Sequence, residues 1–363
     1  MATKIGIRGP VISEGNSMTL KSATRRLRIT RRLGSAVLAP AVVLACVAAT
    51  GFAAAGTAAG ATDGYCVAAY QASSGSLSSY SIMTDSATDQ GLGMATGTYP
   101  AIAQLTSGAY EMAIEANTDV LWEASSASSG GVDTGQGMAS GTSPAIAGLT
   151  TGGFEIAFQA NTGSLVLYGS DNVTTGLGMM AGTSPSITAL PGGGFEVAFE
   201  ANTGVLWFYS TATGGVDTGQ GMASGTSPSI AALAVGGFET AFQANTGKLV
   251  LYGSDNITTG SPMEPGASPS IAASPNATSV AAGFTVAYEE DNWLYTYTTE
   301  SGSSGGGVAM PAGSNPSLAA IPVGTGYQIA YEDQLGQLAL FGAEAVSDSY
   351  QAMSGTTSTA IAC

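Results

Sequence analysis

The chain has 363 residues, of which only 9% are charged, and glycine alone contributes 52. Eight of its nine lysines and arginines lie before residue 33, so residues 62–363 carry 24 acidic residues against Lys248 alone. That balance excludes a nucleic-acid partner and direct adhesion to an anionic membrane, both of which need cations. Histidine is absent and no arginine follows Arg32, which removes Ser-His-Asp and Cys-His catalysis, imidazole zinc sites and arginine clamps.

In chain order, residues 1–61 read as an export segment and residues 62–363 as the folded domain. Arg25 to Arg32 form a basic region, residues 35–52 an apolar stretch interrupted by Pro40, and Ala59-Gly60-Ala61 a small-residue site with cleavage before Thr62. Initiation at Met18 gives a more ordinary signal length than Met1. The competing readings are a retained membrane anchor over residues 34–61 and a lipoprotein box at Val43-Leu44-Ala45-Cys46. Either way the domain is expected outside the cell, with no membrane insertion of its own.

From there the chain is an internal repeat. Its Ser-Pro landmark recurs at Pro100, Pro144, Pro185, Pro228, Pro269 and Pro316 (the Ser is Tyr99 in the first and Asn315 in the last), with spacings of 44, 41, 43, 41 and 47 residues. Each unit reads as four short strands. In the unit at residues 182–223, SPSITAL is the first strand and FEVAFEA the second. Asn-Thr-Gly makes the hairpin turn, Leu-Trp-Phe-Tyr opens the third, and the Gly-x-Gly-Met-Ala segment supplies the fourth. Met94, Met138, Met179, Met222, Met263 and Met310 recur there, as core packing between neighbouring sheets. A period near 42 with four strands predicts an all-β, seven-bladed propeller of four-stranded blades.

The seventh blade is shared by the two ends. GTTSTAIAC, residues 355–363, supplies only a first strand, whereas GYCVAAYQASSGSLSSYS, from residue 64, supplies the later strands without a first. Cys66 and Cys363 then stand at the start of a second strand and the end of a first. There a disulfide replaces the missing hairpin turn; two free thiols are the alternative. Units also alternate in pairs: GGVDTGQGMA recurs after Trp122 and Trp207, and LYGSDNVTTG has its partner in LYGSDNITTG.

GTSPSI, GGFEVAFEANTG and LW, followed by GxGMA, resemble the PLL-like β-propeller lectins and related repeat modules of secreted actinobacterial proteins, over about residues 64–363. The resemblance implies a seven-bladed ring that binds fucose-type or O-methylated sugars through several similar sites. The third-strand tryptophan of the pattern is present at Trp122 and Trp207; Val166, Val250, Tyr295 and Ala339 stand there in other units.

A sugar site needs an aromatic platform and fixed polar groups. Trp122, Trp207 and Tyr295 are the candidate platforms. Glu115, Gln159, Glu200, Gln243 and Glu289, with Glu332, form one column on the second strand and are the candidate hydroxyl binders. The Asn residues at 117, 161, 202 and 245 follow closely. Packing between blades, satisfaction of backbone groups and turn formation are the competing roles of these three sets. A second column, Glu111, Glu155, Glu196 and Glu239, lies four residues earlier. Asp171-Asn172 and Asp255-Asn256 offer oxygen ligands for calcium or serve as turn residues. Paired carboxylates can hydrolyse glycosides without histidine, but acids repeated in many blades suit repeated weak binding better than one asymmetric catalytic centre. The expectation is a non-catalytic glycan binder with no cofactor or metal; the alternative is an extracellular protein-interaction or scaffold propeller.

Overall fold

A computed structural model describes residues 66–128, 130–279, 283–322, 326–343, 351–354 and 358–363; the proposed export segment lies outside them. The described residues form seven antiparallel sheets. Blade 1 is assembled from Ala360–Ala362, Val67–Gln71, Ser76–Ser81 and Ser86–Gly93, in that spatial order. Blades 2 to 6 begin with inner strands at Ala101–Gln104, Ala145–Gly148, Ser186–Ala189, Ser229–Ala232 and Ser270–Ala273, and each continues outward through three more strands. Blade 7 starts at Ser317–Ala320 and shows three strands among the described residues. Each inner strand touches the inner strands of both neighbouring blades, and the strand at Ala360–Ala362 touches those of blades 7 and 2, so the ring is closed.

The closing blade follows the expected division of labour. Val67, Ala68 and Ala69 pair with Ala362, Ile361 and Ala360, and the Cys66–Cys363 disulfide spans the gap that a hairpin bridges in the other blades. Neither part can bury its sheet face alone, because each lacks the strand that the other holds.

Apolar burial falls between the blades. Seven separate clusters occur, each spanning two adjacent sheets. Each contains one methionine of the recurring position; the seventh is Met353, in the cluster joining blades 7 and 1. Unbranched, polarisable methionine fills the irregular wedge that opens between twisted sheets. The fourth strand ends on the Gly-x-Gly of the segment read for it and begins further upstream, so that the methionine falls just beyond it. In blade 4 it is Gly214–Gly221, and Met222 instead bridges to Ala244 of the following blade. The Asp-Thr-Gly-Gln stretch forms a bulge: Trp207 pairs with Asp217 and Val205 with Gly221, Gly219 takes φ +70°, and Thr218 Oγ1 donates to the Leu206 carbonyl. The bulge shifts the register before the last pair and turns the chain toward the next blade.

The Ser-Pro landmark has a structural reason. Backbone N–H groups of Tyr99, Ser143, Ser184 and Ser227 donate to the hydroxyls of Ser143, Ser184, Ser227 and Ser268 respectively, and Ser268 N–H donates to Asn315 Oδ1. The serine after the proline repeats the device: Ser186, Ser229, Ser270 and Ser317 accept from Ile230, Ile271, Leu318 and Ile361. Inner strands of adjacent blades are not paired through a backbone ladder, so side-chain oxygens satisfy these N–H groups.

The disulfide encloses a loop with a sequence separation of 297, for which chain entropy suggests about 5 kcal/mol. Reduction, or replacement of both cysteines by serine, is expected to lower Tm by about 5–15 °C. Thermal unfolding with and without reductant measures this, and an unchanged Tm would show that strand pairing closes the ring unaided.

Candidate functional site

The second-strand column is fully buried. Glu115, Gln159, Glu200, Gln243 and Glu289 are all at most 1% exposed, and Gln71 occupies the same place in blade 1. These residues hold the loops between blades at both ends. The Glu115 carbonyl accepts from Ala95 N–H in the loop entering its blade, while its carboxylate accepts from Gly141 N–H (3.1 Å) in the loop leaving it. Gln159 does the converse on the exit side, donating Nε2 to the Met180 carbonyl (3.1 Å). Gln243 donates to the Glu264 carbonyl (3.0 Å), Gln71 donates to the Met94 and Ala95 carbonyls, and Glu289 accepts from Gly313 N–H (3.0 Å). The column alternates donor and acceptor in blades 1, 2, 3, 5 and 6, in step with the two-blade sequence cassette; in blade 4 the Glu200 carboxylate, near Gly225, has no partner at hydrogen-bonding geometry.

Burial drives the charged members of this column toward the neutral form. It pushes the carboxyls of Glu115, Glu200 and Glu289 up to about 7, and the loop N–H groups of Gly141, Gly225 and Gly313 pull the other way. In the earlier column, Glu155 and Glu239 are likewise pushed up to about 7 by burial. Their carboxylates accept from Asp171 and Asp255 N–H, both at 2.8 Å, which fixes the Asp-Asn turns that the sequence also offered to calcium. Among the described residues no group of three or more His, Cys, Asp or Glu is placed to hold a metal.

The Asn set lies at the hairpin turns and reaches across to the preceding blade. Asn161 N–H donates to the Gly137 carbonyl at 3.1 Å, and its side-chain amide lies so close to Gly137 that a Cβ there would come within 2.4 Å.

The three aromatic candidates occupy equivalent slots between blades. Trp122 packs in the cluster joining blades 1 and 2, Trp207 in that joining 3 and 4, and Tyr295 in that joining 5 and 6. Each is partly exposed. Leu177 of the preceding blade and Gly215 of the fourth strand flank Trp207, and a Cβ at Gly215 would meet Leu177 at 2.7 Å and the indole at 3.3 Å. The indole nitrogens of Trp122 and Trp207 are both shielded from solvent and have no hydrogen-bond partner. Tyr295 stacks at a tilt on Tyr288, with ring centroids 5.8 Å apart. The structure therefore does not join aromatics and column into one pocket: the column serves the inter-blade loops, and the aromatics stand in the wedges.

Two further places were not singled out from sequence. Tyr99, standing where other blades carry serine, borders an axial cavity of about 250 Å³ ringed by Pro144, Pro185, Pro228, Pro269 and Pro316. Its phenol reaches the hydroxyls of Ser184, Ser227 and Ser143, and burial pushes its pKa up. A second cavity, of about 300 Å³, opens between blades 2 and 3 beside Glu123 and Tyr168. The break in the Ser-Pro pattern at Tyr99 was a legible signal; Glu123 becomes notable only when the facing blade is known.

In fold the chain is similar to solved propeller lectins. The BP39L lectin from Burkholderia pseudomallei superposes with a TM-score of 0.55 at 13% identity, covering 77% of this chain and 96% of that one. The SapL1 lectin in complex with α-methyl fucoside gives a TM-score of 0.50 at 16% identity, covering 70% and 94%. AofleA from Arthrobotrys oligospora gives 0.51 at 10%, covering 73% and 88%. No family model matches the chain, and no curated protein does.

Carboxyls raised from an ordinary 4.5 to about 7 keep protons in the folded state that the unfolded chain releases. Their contribution to stability is full below about pH 4.5 and is lost as pH rises through about 7. Tm is therefore expected to be higher at pH 5.5 than at pH 8.5. The triple variant E115Q/E200Q/E289Q, which copies the glutamines of alternate blades, should flatten that decline in a melting series across pH. An equally steep decline in the variant would assign it to other groups.

Proposed function

We propose that this chain is an exported, non-catalytic, lectin-like propeller that binds glycans of fucose type or O-methylated sugars at several similar, individually weak sites. The observation that carries the reading is the pair of indoles at Trp122 and Trp207. They stand at equivalent places in two blades, each with part of its ring exposed. The C–H face of a sugar would cover the exposed part of each indole, removing apolar surface from water on both sides. Tyr295 offers a third platform. The PLL-like sequence resemblance and the likeness of fold to lectins support the same reading. Repetition around a ring turns weak single sites into useful avidity on a multivalent surface.

Export is part of the proposal. The disulfide needs an oxidising compartment, and residues 1–61 supply the leader. N-terminal sequencing of the exported protein is expected to begin at Thr62; a chain still carrying residues 34–61 would favour the anchor.

A second reading, an extracellular protein-interaction or scaffold propeller, is favoured by the packing of Leu177 against Trp207 and by the internal bonding of the Glu/Gln column. A glycan array with residues 62–363 separates the two. Signal for fucosylated or O-methylated glycans that falls about tenfold or more in the W122A/W207A variant supports the lectin. A blank array, with a specific extracellular protein captured instead, supports the scaffold.

A further inference from the structure

Among the positions where the two-blade cassette is broken, one lies in a wedge between blades. Blades 3 and 5 present the same aromatic pair to the preceding blade: Phe154 and Tyr168 in one, Phe238 and Tyr252 in the other. Between blades 4 and 5 that pair is filled by Phe208, whose ring meets Phe238 edge-on at 4.9 Å and Tyr252 at 6.0 Å. Between blades 2 and 3 the equivalent residue is Glu123. There the wedge stays open as a cavity of about 300 Å³, with Ser170 and Asn172 on its margin.

A carboxylate against two aromatic rings is a costly replacement for a phenyl group unless a cation or hydrogen bonds complete it. Nothing within the described chain does so. One Glu123 carboxylate oxygen is shielded and has no hydrogen-bond partner, and Glu111 is near enough to add repulsion to the effect of burial, both raising the Glu123 pKa. The only cation in residues 62–363 is Lys248, which lies on the third strand of blade 5. The described chain leaves the place beside Glu123 open to a cationic ligand.

We propose that the wedge between blades 2 and 3 is a binding site for a protonated amino sugar, with Glu123 pairing the ammonium group and Tyr168 and Phe154 covering the ring. A carboxylate beside aromatic faces suits an ammonium group, through the ion pair and the ring quadrupoles together. Ser170 and Asn172 add polar groups for hydroxyls, which a sugar ring offers and a plain alkylamine lacks. The site deepens the carbohydrate-binding reading and rests on it, but it uses none of Trp122, Trp207 or Tyr295. Of the wedges that carry this aromatic pair it alone has a carboxylate: Phe208 closes the one between blades 4 and 5, and Thr296 stands at the equivalent place between blades 6 and 7, beside Tyr327 and Phe341.

The test is a calorimetric titration of residues 62–363 at pH 6, where the 2-amino groups are protonated, with a glucosamine trisaccharide, its fully N-acetylated form, methyl fucoside and Nα-acetyl-lysinamide. The glucosamine trisaccharide should bind, and N-acetylation, which removes the charge, should weaken it about tenfold or more. E123Q should do the same while leaving methyl fucoside binding intact. E123F, copying the filled wedge at Phe208, should abolish glucosamine binding with Tm maintained. Glucosamine binding unchanged in E123Q overturns the site. Methyl fucoside binding without glucosamine binding overturns the site and leaves the lectin reading standing. Binding of neither sugar overturns the site and the fucose reading together. Acetyl-lysinamide binding as tightly as the trisaccharide, and equally lost in E123Q, overturns the sugar assignment in favour of a lysine-bearing partner.

Discussion

The structure depends on one pairing: three residues near the end of the chain, Ala360–Ala362, lie against Val67–Ala69 and supply blade 1 with its inner strand. A propeller has no central core to fall back on. Its apolar surface is distributed over seven wedges, each needing two sheets. An unclosed ring would leave a sheet face exposed on each side of the gap, together with unpaired strand edges. The Cys66–Cys363 bond covalently secures the place where chain connectivity provides no hairpin.

The polar groups of the interior follow from the same constraint. Loops between blades are not held by a continuous ladder, so their N–H and C=O groups must find side chains. The Glu/Gln column serves one blade's entry loop through its backbone and the exit loop through its side chain. Serines around each proline tie the inner strands together. Such residues recur as regularly as any ligand-binding motif, because a repeated backbone raises the same hydrogen-bonding need in each blade. Recurrence by itself therefore does not distinguish a binding column from a structural one, and the bonding partners do.

Departures from the repeat are more informative about chemistry. Tyr99 interrupts the serine ring at the axis, and Glu123 interrupts an aromatic wedge. Each breaks a pattern that packing alone would have preserved, and each stands beside open space.

The amino-acid sequence by itself determined the repeat, the blade count, the division of one blade between the two ends and the pairing of Cys66 with Cys363. All of these follow from local strand and turn chemistry repeated at a fixed period, and the unmatched strand at each end leaves one way to complete the set. Only the tertiary structure decided which face of each strand meets a neighbour. It placed the methionines beyond the fourth strand rather than within it, gave the Glu/Gln column to the loops, and set Glu123 opposite Tyr168. The physical reason is that a wedge is formed by two sheets about 42 residues apart in sequence, so its contents depend on their relative placement, about which period and composition carry no information.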